Sequence, residues 1–215
     1  MNINSMVALQ AELENALLRI DKNKVKDILT TAFQNESPFH LVEILIVPVL
    51  EKIGLGWENG EYSLSQVYMS GRICEEMVDL ILPPSDPSRI MQPKMAIVTF
   101  EDYHILGKRI VYSALRASGF EISNFGQMQS DELVERTTQE KVKILLISTL
   151  MLPSALHIKQ LITRLKEKGN QIKVIVGGAP FNFDSQLWHE VGADGYGASA
   201  PEAVKTVRRM LGELL

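Results

Sequence analysis

Residues 95–107 read Met95-Ala96-Ile97-Val98-Thr99-Phe100-Glu101-Asp102-Tyr103-His104-Ile105-Leu106-Gly107. The first six form a short apolar run that predicts a buried strand, and from Lys108 to Ser118 apolar positions return at helical spacing. A strand running directly into a helix is the first half of a β-α-β unit, and open sheets of such units bind ligands beyond the carboxyl ends of their strands. The residues at that end are chemically specific. His104 can ligate a metal through one ring nitrogen while the other donates to a carboxylate such as Asp102. Gly107 permits a tight turn or the close approach of something bulky.

Outward from this stretch the same alternation continues to the C-terminus. Strands are expected at Met95–Phe100, Glu121–Asn124, Ile144–Thr149, Lys173–Val176 and near Gly195-Tyr196, with helices over 107–118, 131–140, 154–168, 183–191 and 200–214. Ser199 and Glu202 have the spacing of a capping box for the last helix. Five apolar strands separated by amphipathic helices imply a parallel sheet covered on both faces, in the order 2-1-3-4-5.

Toward the N-terminus the pattern changes to helix alone. Leu9, Leu13, Ala16, Leu17 and Ile20 mark one helical face, and Val25, Ile28, Leu29 and Phe33 mark a second after Asp21-Lys22-Asn23. Val42, Leu45, Ile46, Val49, Leu50 and Ile53 mark a third, which Pro48 either kinks or restarts. Leu64, Val67, Gly71, Cys74, Val78 and Ile81 mark the fourth, opened by a Ser63/Gln66 capping box. Four helices with short connections make a bundle. Pro83-Pro84-Ser85-Asp86-Pro87 reads as a linker of limited flexibility. The chain thus divides into a helical domain, 1–86, and an α/β domain, 87–215.

Composition narrows the function classes. The 215 residues carry a net charge of −4 and 46% hydrophobic residues, with no polybasic run to attract nucleic acid or anionic lipid. No signal-peptide layout and no apolar run of membrane-spanning length is visible, so a cytoplasmic location is expected. Cys74 is the only cysteine, which excludes an internal disulfide and any Cys-rich metal site. His40, His157 and His189 fall on expected helices or their starts and read as surface or packing residues.

The ligand is decided by the loops after strands 1, 3 and 4, which converge on one edge. They hold Asp102/His104/Gly107, then Ser148-Thr149-Leu150, then Gly177-Gly178-Ala179. The dinucleotide fingerprint and the P-loop are both absent. A receiver domain of the same topology needs a phosphoacceptor Asp after strand 3, where this chain has Ser148.

These three loops resemble the cobalamin-binding module of methionine synthase and of the corrinoid proteins of methyltransferase systems. In that family the pattern is Asp-x-His-x-x-Gly, Ser-x-Leu and Gly-Gly. Here it appears in the same order as Asp102/His104/Gly107, Ser148/Leu150 and Gly177/Gly178. Glu101 departs from the family by standing where a Gly is usual, and Ile105 by standing where an Asp is common. The helical half, with Gly56-Trp57-Glu58-Asn59-Gly60-Glu61-Tyr62, is similar to the cap that covers the other corrin face in these proteins. Read from the residues, Trp57 plugs the bundle; the resemblance puts it near the upper corrin face, with Val67, Tyr68 and Met69 as core or cap lining.

The resemblance implies a flavodoxin-like α/β domain that binds cobalamin. His104 would ligate cobalt in place of the cofactor's benzimidazole, and Asp102 would orient that histidine. Gly107 would keep a passage open for the displaced nucleotide tail. Ser148 would bond the benzimidazole, and Gly177-Gly178 would allow close backbone approach. It implies a methyl carrier that works between Co(I) and methyl-Co(III), with the cap moving aside on the 83–87 linker. The partners would be a donor-specific methyltransferase, an acceptor methyltransferase of tetrahydrofolate or thiol type, and a reductive activator. The donor, whether a methoxylated aromatic, a methylamine or methanol, would be chosen by the partner. Two alternatives share the module. One is a light-responsive B12 sensor, which would carry a Glu-His pair where this chain has Val67-Tyr68 and would need a DNA-binding domain, not expected here. The other is the small subunit of an adenosylcobalamin isomerase, which normally lacks the helical cap.

Overall fold

The computed structural model describes residues 3–33, 38–81, 91–169 and 171–214, so the expected linker at 83–87 lies outside the described residues. The chain forms two compact units. One joins the segment up to Gln92 with Ser113–Phe120, and the other joins Pro93–Tyr112 with the segment from Glu121 onward.

The helical unit contains α1 (Ile3–Leu18), α2 (Lys22–Phe33), α3 (Pro38–Leu41), α4 (Val47–Glu58) and α5 (Leu64–Ile81). Leu13 and Leu17, then Val25 and Leu29, Val49 and Ile53, and Cys74 and Val78, all bury themselves in one core. The four-residue spacing of each pair is what forces the amphipathic helices together. Ile20 departs from the expected face: it is exposed and lies in the left-handed turn between α1 and α2, with φ 59°. The Ser63 capping box forms as expected, with Ser63 N–H donating to Gln66 Oε1 at 2.9 Å and Gln66 N–H to Ser63 Oγ at 3.3 Å.

The helix begins again at Pro48, one of the two expected outcomes: α4 opens at Val47 with Pro48 in its first turn. Val42–Ile46, between α3 and α4, winds as a π-turn, in which Val47 N–H donates to Val42 O. Residue 48 of a regular α-helix would donate to Ile44 O, and proline has no N–H to give. Gln10 Nε2 from α1 supplies the missing bond at 2.7 Å. Cys74 is buried, and burial pushes its thiol pKa up to about 12.

The α/β unit is a five-stranded parallel sheet in the order β2-β1-β3-β4-β5, as the alternation predicted. Its strands are β1 (Met95–Phe100), β2 (Ile122–Met128), β3 (Ile144–Ser148), β4 (Lys173–Gly177) and β5 (Gly195–Tyr196). The helices are α6 (Leu106–Ala117), α7 (Ser130–Gln139), α8 (Leu152–Glu167), α9 (Ala179–Phe183), α10 (Leu187–Glu190) and α11 (Ala200–Leu214). Val98, Phe100, Leu145, Ile147, Val174 and Val176 form one apolar face against Leu133, Ile158, Leu161 and Phe181. Alternation along each strand turns Thr99, Ser148 and Gly177 to the opposite face.

Three local expectations are corrected. β2 runs four residues beyond Asn124, because a bulge with Gly126 at φ 74° lets it rejoin β1. The helix expected over 183–191 is two short ones, α9 and α10, separated at Asp184. The Ser199 side chain does not cap α11: Ala203 N–H bonds to the Ser199 carbonyl, and the buried Ser199 hydroxyl has no partner among the described residues. Among the described residues no helix is long and apolar enough to cross a membrane.

Candidate functional site

The sheet pairs Thr99 with Ser148, and Ser148 with Gly177, in register. That alignment carries the loops after β1, β3 and β4 to one edge, and the sequence-predicted residues meet there.

Asp102 is the hub. It is buried, and its Oδ1 accepts from Tyr103 N–H at 2.7 Å and His104 N–H at 3.1 Å. The same oxygen lies 2.6 Å from His104 Nδ1. Oδ2 accepts from the amides of Leu150 at 2.6 Å and Met151 at 2.9 Å, so one carboxylate joins the β1 and β3 loops. Burial alone would raise its pKa. The bonds from the His104 ring and from the Leu150, Met151 and His104 amides outweigh burial and hold the carboxyl well below the usual range. An ionised carboxylate only accepts, so His104 carries its proton on Nδ1 and presents Nε2 as the lone-pair nitrogen. The His104 side chain is 56% exposed, which leaves that nitrogen reachable.

The glycines have distinct reasons. A Cβ on Gly107 would stand 3.8 Å from Ser148 Oγ, so the absence of a side chain opens space directly over that hydroxyl. A Cβ on Gly177 would meet Gly197 O at 3.0 Å. Gly178 is the strictest: it has φ 122°, and a Cβ there would fall 1.7 Å from Thr149 O. Its requirement is therefore internal, set by the packing of the β3 loop on the β4 loop. Thr99 Oγ1 and Thr149 Oγ1, buried near the ends of β1 and β3, have no hydrogen-bond partner among the described residues. Around this edge Tyr103, Ile105, Leu106, Leu150, Met151 and Leu152 are exposed, an apolar rim uncommon beside a polar centre.

The matching family model, described as the B12 binding domain, covers residues 94–205. The chain belongs to the B12-binding family. A second model, also described as a B12 binding domain, covers residues 9–82 of this B12-binding chain, the helical half. The dimethylamine corrinoid protein 1 of Methanosarcina mazei is 29% identical over 217 residues, covering 97% of this chain and 99% of that protein. The solved structure of a cobalamin-binding protein from Desulfitobacterium hafniense DCB-2 superposes with a TM-score of 0.76 at 22% identity, over 93% of this chain and 97% of that one. The monomethylamine corrinoid protein of Methanosarcina barkeri gives a TM-score of 0.54 at 26% identity, over 92% and 96%. A corrinoid is the cofactor of this B12-binding chain, and the corrinoid proteins of methyltransferase systems are its group, as the three motifs implied.

The residues fit such a group. One oriented imidazole with a free Nε2, a passage lacking a side chain above a serine, unpartnered buried hydroxyls and an apolar rim suit a large flat ligand with a polar tail. Several residues near this sheet edge were not singled out by motif. Lys108 is buried, and burial lowers its pKa; its Nζ donates to Asn124 Oδ1 at 3.0 Å and Gly126 O at 2.8 Å, tying α6 to the β2 bulge. Ser154 Oγ donates to Glu101 O at 2.7 Å, and His157 Nδ1 lies 2.8 Å from Glu101 Oε2. The sequence signal for these was the departure at Glu101. Trp57 is partly exposed at the end of α4 and does not plug the bundle. Beside it Gly56 accommodates the Tyr62 ring, which a Cβ would meet at 2.4 Å.

Proposed function

We propose that the chain is a methyl carrier that holds its corrinoid through His104 Nε2, with the cofactor's own base displaced, and passes methyl groups between two methyltransferases. The observation that carries this reading is the Asp102–His104 hydrogen bond, which fixes the tautomer and leaves one nitrogen for an axial ligand. When bound, the corrinoid supplies a cobalt able to take up and give up a methyl group.

The protein's residues supply orientation and space. Asp102 holds the His104 ring in place and fixes its tautomer. Gly107 leaves the passage over Ser148, whose hydroxyl bonds the displaced benzimidazole. Leu150 serves twice, its amide fixing Asp102 and its exposed side chain joining the apolar rim. Gly177 ends β4 beside Ser148 without a side chain, and Gly178 lets the β3 and β4 loops pack closely at this edge. The helical segment 1–86 and the α/β segment 87–215 are proposed as the two domains of this carrier, with Ser113–Phe120 grouping with the helical one. A donor-specific methyltransferase, an acceptor methyltransferase of tetrahydrofolate or thiol type and a reductive activator are its partners. Relatives named for dimethylamine and monomethylamine support a methylamine as donor.

The test is electron paramagnetic resonance of the Co(II) protein, prepared with histidine labelled with nitrogen-15. Splitting from the axial nitrogen is expected to change from three lines to two with the label, and to vanish in His104→Ala. An unlabelled-type pattern, or an unchanged signal in His104→Ala, would sink the ligand assignment.

A further inference from the structure

Glu101 is a non-glycine residue with φ 47°, next to the residue that orients the axial histidine. Left-handed backbone costs a residue with a Cβ about 1–2 kcal/mol, and glycine pays almost none of it. Such an outlier persists only where its surroundings hold it, and here they hold every polar group of the residue. Glu101 N–H donates to Met128 O at 3.1 Å, which anchors it to β2. Its carbonyl accepts from Ser154 Oγ at 2.7 Å, and Oε2 accepts from His157 Nδ1 at 2.8 Å. Ser154 and His157 sit three residues apart on α8, whose approach residues Leu150 and Met151 bind Oδ2 of Asp102. The main chain at 101 and the carboxylate at 102 are thus pinned side by side onto the start of α8. Neither Ser154 nor His157 touches His104 in the hydrogen-bond network. They act on it through Asp102.

We propose that Glu101, with Ser154 and His157, is a positioning residue that clamps the β1 loop to α8 and thereby sets how His104 is presented to cobalt. The inference rests on His104 being the axial ligand. Loss of the clamp leaves Asp102 and His104 intact but frees the loop to move against the Leu150 and Met151 amides. His157 is more than half exposed and such a pair contributes modestly, so the ratio of histidine-on to histidine-off Co(II) protein should fall about threefold.

The experiment compares wild type, Glu101→Gly, His157→Phe and Glu101→Gln in the cofactor-loaded full chain by the same nitrogen splitting. Amide exchange at Leu150 and Met151 is followed in parallel in the apoprotein. Glu101→Gly and His157→Phe are expected to lower the histidine-on ratio about threefold and to speed exchange at both amides. Glu101→Gln, which still accepts from His157, should largely restore both. The melting temperature of Glu101→Gly should not fall, because glycine adopts the left-handed conformation without strain. A purely structural role would show the reverse, with stability changed and ligation untouched. Equal histidine-on ratios in wild type, Glu101→Gly and His157→Phe overturn the inference while leaving the ligand assignment standing. A wild type without histidine nitrogen overturns the assignment itself.

Discussion

Asp102 accepts five hydrogen bonds, three on Oδ1 and two on Oδ2, in a buried position. Its carboxyl pKa in the folded chain lies below the unfolded value near 3.9. The resulting stability is therefore fully present above about pH 4 and is lost as pH falls below it. Asp102→Asn keeps the shape, removes the charge and replaces one acceptor by a donor. The apoprotein should lose about 1–3 kcal/mol at pH 7. In urea unfolding the gap between the two proteins should narrow at pH 3, where the wild type is losing the same contribution; a gap equal at both pH values would refute this account. The three motif residues here were legible because they lie within six positions and their chemistry is local. Glu101–His157 was not, since 56 positions separate the pair and only the packing of α8 on the sheet brings them together. Nor could spacing reveal that the Ser199 hydroxyl turns away from its helix.

The β3 and β4 loops interlock at Gly178, and a glycine series separates backbone freedom from close approach. Gly126 has φ 74° and open space within 4 Å of where a Cβ would stand, whereas Gly178 combines φ 122° with the Thr149 carbonyl oxygen at 1.7 Å from that position. Gly126→Ala should cost about 1 kcal/mol by urea unfolding, and Gly178→Ala about 4 kcal/mol or fail to fold. Comparable costs would mean that the Thr149 contact relaxes cheaply. The strand and helix positions were readable from periodicity, which is strong where one face is buried. What escaped was set by single residues, one through a side-chain bond and one through backbone freedom. The π-turn depends on Gln10, distant in sequence, filling the acceptor that Pro48 leaves; β2 extends because Gly126 accommodates a bulge.

The two units are not cut at one point in the sequence. Ser113–Phe120 belongs with the helical unit, where Ala117 is buried in its core. Ser113 Oγ donates to the buried Glu75 at 2.8 Å, and Arg116 Nη2 to Asp79 at 2.6 Å. A fragment ending at residue 92 retains α1 to α5 but loses these three residues. It should unfold at lower urea than the full chain, by about 2–4 kcal/mol for a buried methyl and two side-chain bonds. Circular dichroism of the fragment against urea measures it, and a fragment as stable as the full chain would count against this division. A single linker is what composition can show; membership of a distant half-helix is decided by tertiary contacts that leave no local mark. Asp102 adds a consequence for the order of events during folding. Its two oxygens serve segments 48 residues apart, so the imidazole is steadied only after β1 and β3 have paired. A slip of one residue would turn the strand faces over and carry Leu150 away from the carboxylate. If His104 holds the corrinoid as proposed, a chain with β1 and β3 out of register would present no steadied imidazole and would be left without its cofactor.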